Sequence, residues 1–291
     1  MVSRLRSPNA DLSIELDEGQ HQLGKPITGR VTLLPGEGFE MRGAKAEFIC
    51  TETYWLRVRR TSRFGSAETN EPAATLIREY SHPLFVGSEI ANLMPQVGDI
   101  NFTIPLNAPP TVQGGVANLA WRLIVTVDVA RGRDISREID LIVMPAPGER
   151  ADNTQPTENA APALTQFAEC DMNLSLTAHR VCMGETVDGV LRVYPKTGRT
   201  PQAARVELMR AEAAGTSNAD LSIGVVEFQI PESTGADEAM EFPFSLPVPE
   251  CLLTTISVHE TSVSWRARGT VTVGRGKELD ISQRVTVRGS S

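Results

Sequence analysis

The clearest pattern in the chain is an alternation of apolar and polar residues on both sides of a short charged turn, between Trp121 and Met144. Alternation places every second side chain on the same face of a β-strand. The segment therefore predicts a hairpin with one buried face. The apolar residues of that face are Leu123, Val125, Val127 and Val129 on the first strand and Ile135, Ile139, Leu141 and Val143 on the second.

A second copy of this pattern runs from Trp265 to Val287. The separation between Trp121 and Trp265 equals that between the turn residues Arg131 and Arg275, so strand and turn keep the same register in both copies. The buried face of the second copy is predicted to consist of Val271, Val273, Leu279, Ile281, Val285 and Val287. The chain is therefore predicted to be an internal duplication.

The repeat extends upstream to a first strand and a pair of glycines in each copy. The strand positions are Leu12, Ile14 and Leu16 in one copy and Met172, Leu174 and Leu176 in the other. Gly24 and Gly29 correspond to Gly184 and Gly189 at equal separation. Such positions suit turns and bulges, where a positive φ or a close backbone approach requires glycine, and we expect no ligand there.

The segment 203–214 (AARVELMRAEAA) favours a helix by intrinsic propensity alone. However, Ala204 to Leu208 matches Ala44 to Phe48 in register, and the earlier segment alternates between apolar and polar residues. The duplication therefore predicts a strand in both places.

Composition supports an all-β chain of two domains. The 23 glycines and 19 prolines are spread among short runs of valine, isoleucine and threonine, and 291 residues suffice for two cores. A polar, proline-rich stretch between the copies is typical of an exposed linker. We predict two tandem β-sandwich domains, at 1–146 and 167–291, joined by a linker at 147–166.

The net charge and the cysteine content argue against several classes of protein. A net charge of −8 argues against nucleic-acid binding, which needs a basic face. The four cysteines form no CxxC pair and fall mostly in apolar strand patterns, as expected for reduced core residues of a cytoplasmic protein. No apolar run reaches the length of a signal peptide or a membrane span, so we expect neither.

Motifs for catalysis or cofactor binding are not found in the sequence. The histidines His21, His82, His179 and His259 lie far apart, without the spacing of metal ligands. Nucleophile, phosphate-binding and dinucleotide motifs are also missing. We therefore predict that the protein is not an enzyme and that it uses no cofactor or metal.

The interval from Phe48 to Pro105 in the first copy is longer than the equivalent interval from Leu208 to Pro247 in the second copy. The extra length contains the run 54–63, a loop with glycine, serine and asparagine, and a further run at 75–78. The run 54–63 begins as a predicted strand and carries the candidate site for an anion or a partner: Arg57, Arg59, Arg60 and Arg63.

Two interpretations of these arginines stay open. Arg57 and Arg59 share a face by the strand period, while Arg60 and Arg63 are placed at or beyond the strand end. Arginine forks suit carboxylate and phosphate, so the arginines could bind an acidic or phosphorylated segment of a protein partner. Alternatively, they protect an exposed edge strand and pair with Glu68, Glu71 or the second domain.

Taken together, these features resemble the arrestin fold. The similarity lies in the duplicated sandwich, the paired-glycine turns, the phrase Phe102-Thr103-Ile104-Pro105 before Ala108-Pro109-Pro110, and the strand start at Trp121-Arg122. It is greatest to the bacterial arrestin-like sporulation-control proteins. The resemblance implies tandem arrestin-like domains, an adaptor or scaffold role and no catalysis. Pro109-Pro110 continue into Thr111-Val112, so recruitment of ubiquitin ligases through Pro-Pro-x-Tyr is not expected.

The predicted function is that of a non-enzymatic intracellular adaptor or regulatory scaffold, which binds a protein partner through sheet edges or concave faces. The alternative is a β-sandwich protein that binds a ligand or carbohydrate, or a hydrolase accessory module. That alternative needs a pair of carboxylates or an aromatic platform. Aromatic residues make up 5% of the chain, and Trp55, Trp121 and Trp265 are scattered, which favours the adaptor.

Overall fold

The computed structural model describes residues 6–62, 65–147, 163–196, 201–230 and 239–290. The chain forms two compact units, Met1–Gln113 with Asn118–Ala146, and Gly114–Ala117 with Pro147–Ser291. In the described ranges the regular structure is β-strand throughout, as predicted. The same ranges contain no helix that is long and apolar enough to cross a membrane.

The first unit has two sheets in its described part. Its strands are β1 (Ala10–Leu16), β2 (Gln20–Gln22), β3 (Pro26–Pro35), β4 (Phe39–Ser62), β5 (Gly65–Ile90), β6 (Gln96–Thr103), β7 (Val112–Gln113), β8 (Asn118–Val129) and β9 (Ile135–Met144). A three-stranded sheet has the order β1-β3-β6. A six-stranded sheet has the order β2-β9-β8-β4-β5, with β7 also paired to β8.

The second unit repeats this arrangement and adds one strand. Its described strands are β10 (Ala163–Gln166), β11 (Cys170–Leu176), β12 (Arg180–Cys182), β13 (Thr186–Pro195), β14 (Pro201–Ala214), β15 (Ser217–Gln229), β16 (Met240–Pro247), β17 (Ile256–Val258), β18 (Thr261–Val273) and β19 (Lys277–Arg288). The sheet orders are β10-β11-β13-β16 and β12-β19-β18-β14-β15, with β17 on β18. Strands β11 to β19 thus correspond one by one to β1 to β9.

In each unit, aromatic rings pack between the two sheets. Phe48 on β4 stacks on Phe102 on β6, with ring centroids 4.5 Å apart. In the second unit, Phe228 on β15 contacts Phe242 on β16 at 5.1 Å. Two sheets that enclose a core make each unit a β-sandwich. The predicted fold class, two β-sandwiches related by duplication, is confirmed.

The hairpins β8–β9 and β18–β19 form where the alternation predicted them. Leu123, Val125 and Val271 are fully buried. Burial of each such side chain contributes about 1.5 to 3 kcal/mol to stability. The segment with helical propensity is strand β14, because Val206 and Leu208 alternate into the core.

The paired glycines have the backbone roles expected of them. Gly24 and Gly184 adopt φ values of +79° and +81°, a region that disfavours residues with a Cβ. Gly29 on β3 and Gly189 on β13 lie opposite Leu16 and Leu176, the last residues of the antiparallel strands β1 and β11. A Cβ at either position would collide with a backbone carbonyl oxygen of the neighbouring strand.

A buried tryptophan anchors the loop before the long hairpin in each unit. The indole N–H of Trp121 donates to the carbonyl oxygen of Pro109 at 2.8 Å. That of Trp265 donates to the carbonyl oxygen of Leu253 at 2.9 Å. Both side chains are about 1% exposed, so each hydrogen bond satisfies a polar group that water does not reach.

The ends of the predicted linker belong to the second unit. Ala163–Gln166 pair with β11 as strand β10, and Pro147 bridges to Gly289. The linker therefore ends before residue 166, because its last four residues form the first strand of a tight hairpin with β11. Residues 148–162 of the predicted linker lie outside the described residues.

A second expectation, a loop before the apolar run at 75–78, is wrong. Gly65–Ile90 form one strand, β5, which pairs with β4 from Phe39 opposite Ile90 to Ser62 opposite Gly65. Each polar residue of the supposed loop finds a backbone partner on β4. This pairing overrides the local preference of glycine, serine and asparagine for turns.

Candidate protein-binding sites

The extra residues of the first unit form a two-stranded ribbon. β4 pairs with β8 only between Met41 and Thr53, so residues 54–62 pair with β5 alone among the described strands. Most side chains on both faces of this ribbon are exposed, including Trp55 at 46%. We call residues 54–62 and 65–73 the ribbon.

The ribbon divides the candidate arginines between its two faces. Arg57 and Arg59 share one face, as the strand period predicted. Arg60 was placed at or beyond the strand end, but β4 continues to Ser62, so Arg60 lies within the strand and on the opposite face. Arg63 lies outside the described residues.

Both glutamates named as possible partners form ion pairs on the ribbon. Arg57 Nη1 lies 4.0 Å from Glu68 Oε2, and Arg60 Nη2 lies 2.6 Å from Glu71 Oε1. Arg59 donates to Ser66 Oγ at 3.1 Å. The side chains of Arg57 and Arg60 are 63% and 71% exposed, so each pair contributes at most about 1 kcal/mol.

Replacement of Arg57, Arg59, Arg60 and Arg63 by glutamine is therefore expected to leave stability within about 1 kcal/mol, because exposed ion pairs are weak. If the ribbon binds an acidic or phosphorylated segment, the same variant loses partner binding together with its dependence on salt. Thermal unfolding and affinity capture at two salt concentrations measure the two effects. Undiminished capture by the folded variant would exclude the ribbon as the binding site.

The clearest difference between the two units lies at the edge of the smaller sheet. β11 is covered by β10, whose residues pair from Ala163 opposite Leu174 to Gln166 opposite Asp171. No described strand pairs with the same side of β1. The chain before β1 instead approaches the β8–β9 turn, where the backbone N–H of Arg133 donates to the carbonyl oxygen of Arg6 at 3.3 Å.

The burial of equivalent core residues reflects this difference. Leu174 is completely buried under the covered edge of the second unit, whereas its counterpart Ile14 is only partly buried. Both side chains face the core and are matched in size. The free edge of β1 therefore leaves apolar surface that a further strand would remove from water.

The backbone of β1 is oriented to accept such a strand. Asp17 N–H donates to the carbonyl oxygen of Thr28 at 3.0 Å, which sets the alternation of hydrogen bonds between β1 and β3. The even-numbered residues from Ala10 to Leu16 thus direct N–H and C=O away from β3. The seven residues of β1 include no proline and no bulge, two features that commonly protect edges.

The solvent face of the same sheet is acidic along β1. Asp11 and Glu15 point outward, and neither forms an ion pair within the described part of the chain. Arg30, opposite Glu15, lies 3.9 Å from Asp99 on the far strand. A shallow groove of about 420 Å³ on this face is lined by the carboxylates of Glu15, Asp17 and Asp99 together with Arg30 and other residues.

The second unit contains a buried ion pair that was not predicted from the sequence. Glu212 is 1% exposed, and its Oε1 lies 2.8 Å from Nη2 of Arg210. Its Oε2 accepts hydrogen bonds from the backbone N–H groups of Val116 and Ala117, at 2.9 and 3.3 Å. Burial acts to raise the pKa of Glu212, but these hydrogen bonds and Arg210 together bring it below its usual value.

The internal repeat contains a sequence feature from which the buried Glu212 could have been predicted. Glu52 stands at the corresponding position of the first copy and is also buried, at 0% exposure. A glutamate at an inward position of a strand is uncommon, and two in register are a pattern that the duplication could have revealed. The role of Glu212 is to hold a backbone segment, which is a structural role.

The cysteines are packed as the sequence predicted. Cys50, Cys170 and Cys182 are buried, and Cys251 is half-buried. Burial raises the pKa of Cys50 to about 12 and that of Cys170 to about 11, so both remain thiols near neutral pH. In the described ranges, no group of three or more histidine, cysteine, aspartate or glutamate side chains is arranged to hold a metal.

Comparison with known proteins does not assign the chain to a family. No protein-family model matches it, and no curated protein matches it. The ribbon and the free edge of β1 are thus candidates on their geometry alone.

Proposed function

We propose that the protein is a non-enzymatic adaptor of the arrestin-like type, which binds an extended segment of a protein partner along the free edge of β1. One observation carries this proposal. The chain contains its own copy of the same edge, and in that copy a strand occupies it. Main-chain hydrogen bonds to an added strand supply affinity in many peptide-binding domains.

The arrestin-like assignment rests on the sequence motifs together with the repeated sandwich. Gly29 and Gly189 permit a close backbone approach between paired strands, and Trp121 and Trp265 anchor equivalent loops. These residues maintain a scaffold rather than a reaction centre. A cytoplasmic location is part of the same proposal and is supported by the four cysteines, which form no disulfide with one another.

The alternative, a protein that binds carbohydrate, has weaker support. An aromatic platform for sugars needs exposed rings close together, whereas Trp121 and Trp265 are buried in separate cores. Trp55 is exposed, but the residues beside it on the same face are Thr53, Arg57 and the cross-strand Pro72, none of which is aromatic. Sugar binding by the isolated protein would favour this alternative over the adaptor.

A graft within the chain tests the proposal. Residues 163–169 form β10 and its turn into β11, and residues 3–9 occupy the corresponding place before β1. Replacement of residues 3–9 with the sequence Ala-Leu-Thr-Gln-Phe-Ala-Glu is expected to cover β1 with a strand of the chain itself. Affinity capture of the partner from a native lysate should then be lost, while the melting temperature stays the same or rises.

A matched control carries the same graft with proline in place of its threonine. The corresponding residue, Thr165, faces Met172 in the pairing of β10 with β11, so proline removes a hydrogen bond to the neighbouring strand. This control should leave β1 free and restore capture. Equal capture by the wild type and both grafts would contradict a partner site on β1.

A further inference from the structure

The residues beside the β1 edge also specify the chemistry of the segment that it accepts. We infer that this segment carries lysine or arginine at two positions four residues apart on its solvent face, with small apolar side chains facing the core. The inference rests on the proposed function, because it describes the partner of that same edge. It assigns the edge a basic partner, in contrast to the acidic or phosphorylated partner considered for the ribbon.

The solvent face supplies the charge argument. Asp11 and Glu15 lie four residues apart on β1 and point to the same side, with Ser13 between them. A strand added along β1 places its own outward side chains directly beside these three. Opposite charges in such cross-strand pairs are favourable and like charges are unfavourable, so Asp11 and Glu15 select basic residues.

The core face supplies the size argument. In the covered copy, Ala163 lies opposite Leu174 and Thr165 lies opposite Met172. Both core residues are completely buried, so small side chains on the added strand suffice to cover them. Leu12 and Ile14 occupy the same places on β1, and a strand with small apolar residues at alternate positions fits above them.

The same charges disfavour a second copy of the chain as the occupant. Two β1 strands paired antiparallel about Ser13 would place Asp11 of each copy beside Glu15 of the other. Like charges in direct cross-strand positions destabilise the pairing. The acidic residues therefore protect the edge from self-association while they admit a basic segment.

Peptide titration tests the inference with defined probes. One peptide, Val-Lys-Ala-Ser-Ala-Lys-Val, has the inferred pattern, and a second replaces both lysines with glutamate. Amide resonances of β1 in the full-length protein report where each peptide binds. We expect the lysine peptide to bind roughly tenfold more tightly than the glutamate peptide, from two favourable pairs against two unfavourable ones.

Charge reversal on the protein provides the matched variant. Asp11→Lys with Glu15→Lys should reverse the preference between the peptides. Glu40→Lys with Glu89→Lys makes the same change in net charge on an exposed pair between β4 and β5 and should leave the preference unchanged. The graft that covers β1 should abolish binding of both peptides.

The outcomes separate the inference from the function on which it rests. Tighter binding of the lysine peptide, reversed by Asp11→Lys with Glu15→Lys, supports both. Equal binding of the two peptides, or tighter binding of the glutamate peptide, overturns the inferred chemistry, while loss of that binding in the graft still supports the edge as a site. If neither peptide shifts the β1 resonances, the inference and the proposed function both fail.

Discussion

Replacement of Trp121 by alanine is expected to lower the free energy of unfolding by about 3 to 5 kcal/mol. The indole is 1% exposed, stacks over Tyr80 with ring centroids 6.2 Å apart, and binds the Pro109 carbonyl. Alanine therefore leaves a cavity and an unsatisfied buried oxygen. Urea denaturation followed by circular dichroism measures the loss.

Phenylalanine at the same position separates packing from hydrogen bonding. Trp121→Phe retains most of the ring and removes the N–H donor, so we expect a smaller loss of about 1 to 3 kcal/mol. At Trp265, alanine should likewise cost more stability than phenylalanine, since its indole N–H donates a hydrogen bond to the Leu253 carbonyl oxygen at 2.9 Å. A Trp121→Ala variant as stable as the wild type would contradict the anchoring role of the indole.

The second large effect is expected at Glu212. Replacement by alanine removes the acceptor for the Val116 and Ala117 N–H groups and leaves Arg210 without its carboxylate. Loss of one member of a buried ion pair costs about 3 to 5 kcal/mol, because the remaining charge stays desolvated. Glu212→Gln keeps an oxygen for the amides but not the charge, and should be intermediate between alanine and the wild type.

The pH dependence of stability identifies the ionised carboxylate. The pKa of Glu212 in the folded protein lies below its usual value, so this group stabilises the fold at neutral pH. That contribution is present above the pKa of the unfolded chain and is lost as pH falls through the lower folded value. The stability difference between the wild type and Glu212→Gln should therefore shrink in acid. A difference that is constant from pH 7 to pH 3 would contradict an ionised Glu212.

The candidate site was only partly predictable from sequence. The period of two placed Arg57 and Arg59 on one face, and the structure confirms it. The position of Arg60 was wrong because the end of a strand depends on the length of its partner, and β5 extends as far as β4. Pairing between strands is a property of two segments, so neither sequence alone defines where the ribbon ends.

The burial of the Glu212 carboxylate was not predicted from the sequence, for a different reason. Alternation identified the inward positions of β14 through Val206 and Leu208, and Glu212 continues that series. A charged residue at such a position normally argues against burial, because desolvation is costly. Only the folded chain reveals that Arg210 and two backbone amides compensate for it.

The sequence by itself determined the duplication, the all-β class and the buried faces of the strands. Each of these follows from alternation and register, which are local patterns repeated at a constant separation, and Val125 and Val271 are buried in equivalent hairpins as a result. The roles of the paired glycines were also predictable, since a turn or a close backbone approach requires glycine whatever lies elsewhere in the chain.

Only the tertiary structure decided which strand edges are covered. Ala163–Gln166 have the composition of a linker, yet they pair with β11, while the segment before β1 turns towards Arg133 instead. An edge strand carries the same alternation whether or not a neighbour lies beside it. Whether the preceding segment folds back on that strand depends on the path of the chain, and this path differs between β10 and the segment before β1. The free edge of β1 therefore emerges only when the whole sheet is assembled.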